Sequence, residues 1–368
     1  MLLKQADVLK KITILKVLNK LGNCSFLALA ILLLTPLLFA FAFDQSAVAA
    51  KPKAADLVKD GQLIDLASEK YHILFKELEQ EHQFSQEELQ PLFAGVSINR
   101  RVLELMDKQW EAKPYYKYRS LFITSRTISK AKKKLRQHKE LLDRIEDAFG
   151  VDRAIVIAIW GIESRFGTHS GSFPVFETLN TLFDAYPRRS KFFRKQLVHF
   201  LLLCRENQID PLVVKGSYAG AFGQTQFIPS SFREYSVSFD GDGIRDVFNS
   251  TEDILASIAN YLKRFHWTLN GQRYVDIGNE LKSQSLISAN LKGRKGRVPY
   301  QEVSAAQQLD LPTPPGNRDL SIVGLELSPA DGGGYRYVAA YPNFHAITEW
   351  NHSNRYAMAV IELAEAIE

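Results

Sequence analysis

The feature that most constrains this chain is the segment Ala154-Ile155-Val156-Ile157-Ala158-Ile159-Trp160-Gly161-Ile162, an uncharged run that leads straight into Glu163-Ser164-Arg165-Phe166-Gly167. A run with no polar face predicts a helix that is apolar all round, and so one buried in the core of a sizeable domain. Asp152 stands where an N-cap would, and Gly167 is expected to be the left-handed residue that ends the helix. Glu163 then falls in the last turn, where the negative end of the helix dipole and apolar surroundings both disfavour its ionised form. A carboxylic acid held neutral near pH 7 is what a general acid has to be. Taken alone, such a glutamate is more often structural, and pairing with Arg153 or Arg165 is the competing expectation.

The chain has 368 residues, enough for two or three subdomains, and 46% hydrophobic with 24% charged residues is the composition of a folded globular protein. Its net charge of +5 comes mostly from residues 1–49, which hold five Lys against two acids and leave 41 Lys+Arg against 39 Asp+Glu in the remainder. So even a balance excludes a nucleic-acid partner. Lys4, Lys10, Lys11, Lys16 and Lys20 precede an uncharged run from Leu21 to Phe43, and Ala47-Val48-Ala49 follows it. That order is the layout of a secretory signal peptide, here cleaved after Ala49. An uncleaved inner-membrane anchor is the alternative, because the run is long enough to span a bilayer; Pro36 and the small-residue site favour cleavage. The cysteines are Cys24, inside this leader, and Cys204, so no internal disulfide is expected and Cys204 reads as a buried thiol.

Taken in order, the expected fold class is mainly α (α+β). Residues 50–145 read as an N-terminal helical region: Ile73, Phe75 and Leu78 have helical spacing, and 126–150 read as one long amphipathic helix. Residues 146–270 hold the Glu163 helix, two further helices at 176–185 and 192–208, and another at about 250–265. Between them, Lys215-Gly216-Ser217-Tyr218-Ala219-Gly220-Ala221-Phe222-Gly223-Gln224-Thr225-Gln226 mixes small residues with side-chain amides, a loop whose backbone can approach a ligand closely. Residues 271–342 alternate as in Ser321–Leu327 and Tyr335–Ala340, which predicts a small β subdomain. Residues 343–368 are expected to close the chain with a helix packing back on the helical region.

At Glu163-Ser164-Arg165-Phe166-Gly167 the sequence begins to resemble the lytic murein transglycosylase B family, glycoside hydrolase family 103. The resemblance runs over about residues 85–368, through Tyr118-Arg119, Tyr186-Pro187-Arg188-Arg189, Lys215–Ala221, Gln226–Ser231, Asn260-Tyr261-Leu262, Pro342-Asn343-Phe344 and Tyr356–Val360. It implies a periplasmic, monomeric enzyme with a lysozyme-like helical core. Such an enzyme cleaves the β-1,4 bond between N-acetylmuramic acid and N-acetylglucosamine in peptidoglycan glycan strands and leaves a 1,6-anhydro sugar, with cell-wall synthesis or division proteins as further partners. By its place in the motif, Glu163 carries over as the sole acid/base. Retaining and inverting hydrolases use a second carboxylate; here the sugar's own acetamido and C6 hydroxyl take those roles, and Glu177 and Asp184 read as structural. A hydrolytic muramidase using the same Glu163, and a non-catalytic wall-binding protein, are the alternatives.

The resemblance also supplies the supporting residues. Ser217 and Gln226 are the polar groups of the loop, bonding sugar or Glu163. Tyr118 and Tyr261 are cleft residues offering a pyranose a flat face, with core packing as the equal alternative. Arg188 and Arg189 match an arginine pair suited to stem-peptide carboxylates, against a plain solvated loop. Asn343 belongs to the far end of the cleft, and Ala339 and His345 stand where some relatives carry tyrosines. Ser238 to Asn249 has the layout of an EF-hand loop with Gly243 at its sixth position, and would ligate through Ser238, Asp240, Asp242, the Ile244 carbonyl and Asn249. Ser238 replaces the first Asp and Asn249 the bidentate Glu, so the loop reads either as a weak structural calcium site or as an Asp/Gly turn. No cofactor is required.

Overall fold

The computed structural model describes residues 52–108 and 113–368; the expected signal peptide lies outside these residues. Helices α1 (Glu69–Gln80), α2 (Gln86–Phe93) and α3 (Arg100–Met106) build the N-terminal region. Helix α1 turns Tyr71, Leu74 and Leu78 inward and packs Phe75 against the core, as expected of Leu78 and Phe75, while Ile73 is 48% exposed and lies off the inner face. Ser85 opens α2 with a reciprocal capping box to Glu88. A short α4 (Tyr115–Arg119) leads to α5 (Ser125–Gln137) and α6 (Lys139–Phe149). These two replace the single helix expected over 126–150. His138, at φ −108° and ψ 24°, breaks it, and each half lays its own residues inward: Ala131 from α5, Leu142 and Ile145 from α6.

Helix α7 (Arg153–Ser164) is the axis of the molecule. Every residue from Ala154 to Ile162 is buried, and α5, α6 and two later helices pack round it. Each of its isoleucines withdrawn from water is worth about 1.5–3 kcal/mol. Both expected helix signals are displaced. Asp152 makes no side-chain cap, because Trp267 Nε1 (2.7 Å), Arg273 (3.1 Å) and the Asn270 N–H (3.3 Å) claim its carboxylate. The helix ends not at Gly167 but at Arg165, the first of three consecutive left-handed residues: Arg165 (φ 50°), Phe166 (φ 60°) and Gly167 (φ 81°).

A two-stranded ribbon, β1 (Phe173–Pro174) with β2 (Lys215–Gly216), flanks α8 (Val175–Ala185) and α9 (Ser190–Glu206). Tyr71 donates to Asn180 Oδ1 at 3.0 Å, and Lys70 pairs with Asp184 at 2.5 Å, which fastens the N-terminal helices to α8. Then come α10 (Pro229–Tyr235) and α11 (Thr251–Arg264). The next segment holds β3 (Tyr274–Gly278), α12 (Gln284–Leu291), α13 (Tyr300–Gln307), β4 (Ser321–Glu326) and β5 (Tyr335–Ala340). The strands form an antiparallel sheet in the order β3-β5-β4. The two helices were not foreseen, and they explain why the alternation is unlike that of a half-wet sheet. Ile322 and Ala339 point into a small core with Leu286 and Val303, while Val323, Leu325, Val338 and Ala340 join the main core. The sheet therefore hands the chain back to the helical body as α14 (Pro342–Trp350) and α15 (Asn354–Glu365), the latter lying along α7. Among the described residues no helix is long and apolar enough to cross a membrane.

Gly167 is held by both its backbone and its surroundings. A Cβ there would lie 2.4 Å from Gln224 Oε1, an atom committed to Trp160 Nε1 at 2.9 Å. Gly167→Ala is expected to lower unfolding free energy by about 2 kcal/mol in urea titrations, combining left-handed strain with a lost buried hydrogen bond.

Candidate active site

The site is made where the last turn of α7 meets the junction of α14 and α15. Ser353 caps α15 by accepting from Tyr356 N at 3.3 Å, which fixes the tyrosine in the first turn. The Tyr356 hydroxyl donates to Glu163 Oε1 at 2.5 Å, and Trp350 Nε1 donates to the same oxygen at 2.8 Å. Trp350 is itself seated on Phe227 and Tyr261, with ring centroids 4.9 and 4.7 Å away. The Oε2 atom receives no hydrogen bond from any described residue and is the oxygen left for a proton.

Glu163 is half-buried as a residue but its carboxyl end is packed in, and burial raises its pKa to about 7 against the opposing hydrogen bonds from Tyr356 and Trp350. Neither expected ion-pair partner meets Glu163. Arg153 bonds Asp143 and Glu146, and the left-handed Arg165 makes no ion pair among the described residues. Near neutral pH the group is therefore divided between acid and base forms, a state that suits a group able to give and take a proton. Glu177 accepts from Asn99 at 2.6 Å, Asp184 pairs with Lys70 at 2.5 Å, and Glu349, the neighbour of Trp350, pairs with Arg294 at 2.9 Å. None of these carboxylates bonds Glu163.

The expected supporting residues fall into four groups. Tyr118 stands near the acid: its hydroxyl is close enough to Tyr356 to help raise that residue's pKa, and its ring packs on Phe122 at 5.2 Å. Ser217 and Gln226 shape the loop instead of bonding Glu163. Ser217 Oγ accepts from Ala221 N at 3.1 Å, and Gln226, left-handed at φ 50°, donates Nε2 to the carbonyls of Gly223 (2.9 Å) and Ser170 (3.0 Å). Tyr261 and Asn343 are buried. Tyr261 is 6% exposed and gives its hydroxyl to the Glu349 carbonyl at 2.6 Å, so the flat face expected for a sugar is covered by aromatic neighbours and supports Trp350. Asn343 is 2% exposed and spends its amide on Thr268 and Gly271, because the chain turning out of α11 needs those backbone groups satisfied. Arg188 and Arg189 are exposed between α8 and α9; Arg189 stacks on Phe192 at 4.2 Å and Arg188 has no bonded partner among the described residues. Ala339 is fully buried, and His345 bonds Ser321 Oγ at 3.0 Å with its pKa pushed down to about 3 by burial and nearby arginines.

Trp350 and Tyr356 were not read as functional from sequence. Tyr356 did open one of the matching segments, Tyr356–Val360, and that was the only signal available for it.

The acidic loop supports itself without an ion. Asp240 takes Ser250 Oγ (2.9 Å) and Asp242 N (3.2 Å), Asp242 takes Ile244 N (2.7 Å), and Ser238 Oγ lies 3.4 Å from each of the two carboxylates. Asn249 turns its amide to Asp246 at 3.2 Å. The expected set offers two carboxylates, a hydroxyl, the Ile244 carbonyl and the Asn249 amide, and with no bidentate Glu and no first Asp it carries too little charge for a tight calcium site.

The transglycosylase SLT domain family matches residues 67–365. The membrane-bound lytic murein transglycosylase B of Escherichia coli K12 is 34% identical over 303 residues, covering 78% of this chain and 79% of that protein. The catenated lytic transglycosylase SltB1 of Pseudomonas aeruginosa superposes with a TM-score of 0.73 at 35% identity, over 82% of this chain and 97% of that one. Escherichia coli Slt35, solved in complex with calcium, gives 0.71 at 33% identity, over 85% and 96%. Pseudomonas aeruginosa SltB3, solved with NAG-NAM-pentapeptide, gives 0.68 at 31% identity, over 81% and 79%.

Two measurements check this geometry. The Tyr356 bond favours ionised Glu163, so Tyr356→Phe is expected to move the Glu163 carboxyl titration upward from about 7, by about one unit, in carbon-detected NMR. Adding 1 mM calcium is expected to raise Tm by no more than about 2 °C, the gain that a site with millimolar Kd would give.

Proposed function

The chain belongs to the transglycosylase SLT domain family, and on that premise we propose how its site works. It is a peptidoglycan lytic transglycosylase. Glu163 is its single acid/base, and the observation that carries this is a lone carboxyl with pKa about 7, one oxygen held by two donors and the other open. In the neutral form, Oε2–H gives its proton to the glycosidic oxygen of the leaving N-acetylglucosamine while positive charge develops at muramyl C1. The ionised carboxyl then takes the proton of the muramyl C6 hydroxyl as that oxygen closes on C1, which forms the 1,6-anhydro ring and regenerates the acid. Tyr356 and Trp350 are positioning residues: they fix the carboxyl plane and limit how far burial raises its pKa.

The Ser217–Gln226 loop presents backbone and the Gln226 carbonyl oxygen to sugar, and Tyr118 borders the cleft. Arg188 and Arg189 suit the carboxylates of a stem peptide. We infer action in the periplasm from the leader of residues 1–49 together with the membrane-bound Escherichia coli relative.

The decisive experiment is digestion of purified sacculi by residues 50–368, with the muropeptides weighed. Anhydro-muropeptides are expected; reducing-end products would instead identify a hydrolytic muramidase. Glu163→Gln should lower the rate by about 10³-fold or more, as loss of the only acid/base requires. The stability sign is opposite. Because the native pKa is raised above that of the unfolded chain, Glu163 contributes fully only below the unfolded value, and this is lost as pH rises through about 7. Glu163→Gln is therefore expected to be more stable than the parent at pH 8, by about 1–3 kcal/mol, and not at pH 4.

A further inference from the structure

A hollow of about 550 Å³ opens beside the acid, between the last turn of α7 and the start of α5. Its walls include Ile162 and Arg165, which flank Glu163 in the chain, together with Leu121, Phe122, Phe166, Arg126 and Lys130. The floor is apolar and part of it is open to water: Phe166 is 6% exposed and Leu121 52%. Three cations face the hollow, and no Asp or Glu lines it. Elsewhere in the molecule arginines are mostly paired, as Arg153, Arg194, Arg233, Arg273 and Arg336 are. Arg126 and Arg165 have no ion pair among the described residues. Lys130 is pinned in place, donating to the Arg165 carbonyl at 2.7 Å and standing 5.2 Å from the Phe166 ring centre. Burial and the like charges of Lys134 and Arg126 push its pKa down. Such crowding is unfavourable until an anion enters.

Side chains in sequence lead from the hollow toward the acid. Phe122 packs on Tyr118 at 5.2 Å, and Tyr118 adjoins Tyr356, which holds Glu163. We propose that this hollow binds the carboxylates of a peptidoglycan stem peptide through Arg126 and Arg165, with Leu121, Phe122 and Phe166 covering its aliphatic carbons. The proposal rests on the transglycosylase reading, since stems hang from every second sugar of the strand that lies over Glu163. The arginine pair between α8 and α9 stands in a separate loop, so the two basic sites take different stems.

The test uses the Glu163→Gln protein with Arg188→Ala and Arg189→Ala added, which does not consume ligand and leaves the hollow as the only basic site assigned to a stem. Calorimetry compares a disaccharide pentapeptide with the same disaccharide lacking peptide. The peptide-bearing ligand is expected to bind about tenfold tighter or more, the size of a charge-assisted carboxylate contact. Arg126→Glu should remove most of that preference and Arg126→Lys should keep part of it. A second variant, Arg126→Ala with Arg165→Asn, guards against misfolding, because asparagine tolerates the left-handed backbone at that position. An equal affinity for the two ligands in the parent overturns the proposal, and so does a preference that survives both variants. Products from protein with Glu163 intact decide the transglycosylase reading separately, so either can fail alone.

Discussion

Two donors meet on one oxygen of Glu163, and the rest of the fold is arranged to deliver them. They come from 187 and 193 residues further along the chain. Each such bond to an ionised carboxylate is worth about 1.5–3 kcal/mol and alone would hold the group well ionised. Burial opposes them and prevails, which leaves the pKa at about 7. Both donors are neutral. A cation in either place would add a Coulombic attraction on top of the bond and remove the acid form on which the proposed protonation of a leaving group depends.

That requirement explains an otherwise odd piece of architecture. The sheet of β3, β5 and β4 looks like an appendage, yet its alternate residues serve two cores, Ile322 and Ala339 one way, Val323 and Val338 the other. Strand β5 therefore cannot shift without disturbing the main core, and the helix that follows it directly, α14, carries Trp350. Tyr261 and Asn343 belong to the same support. One braces Trp350 and bonds the carbonyl next to it, while the other ties the start of α14 to the turn after α11. Positions that resemble sugar contacts in the sequence act here through the residues that hold the acid.

What could be read from the sequence was what short-range chemistry dictates. An all-apolar run ending in a carboxylate makes a buried helix wherever it is placed, so α7 and the neutral Glu163 were legible. The helices inside 271–342 were not, because α12 and α13 take their stability from the outer face of the sheet and not from a strong apolar stripe of their own. The break at His138 was hidden for a related reason: the amphipathic pattern continues through it, and only the shape of α7 decides where the chain must bend. Asp152 has the composition of an N-cap, but Trp267 and Arg273, over a hundred residues away, outbid the adjacent backbone for its oxygens. Trp350 and Tyr356 escaped notice because nothing local distinguishes a tryptophan that bonds a buried carboxyl from one that fills a core.

Arg165 shows how local strain and chemistry join. It follows Glu163 by two positions, a spacing at which helical side chains point to opposite faces. The chain turns left-handed at Arg165 and again at Phe166, at a cost of about 1–2 kcal/mol each. The Arg165 carbonyl is then capped by Lys130, and its charge is carried round into the basic hollow. The turn thus places that cation on the wall of the hollow, where the proposed stem carboxylate would meet it. The strain is offset by the Phe166 ring, which packs edge-on against Trp160 with centroids 5.5 Å apart and closes the end of the core helix.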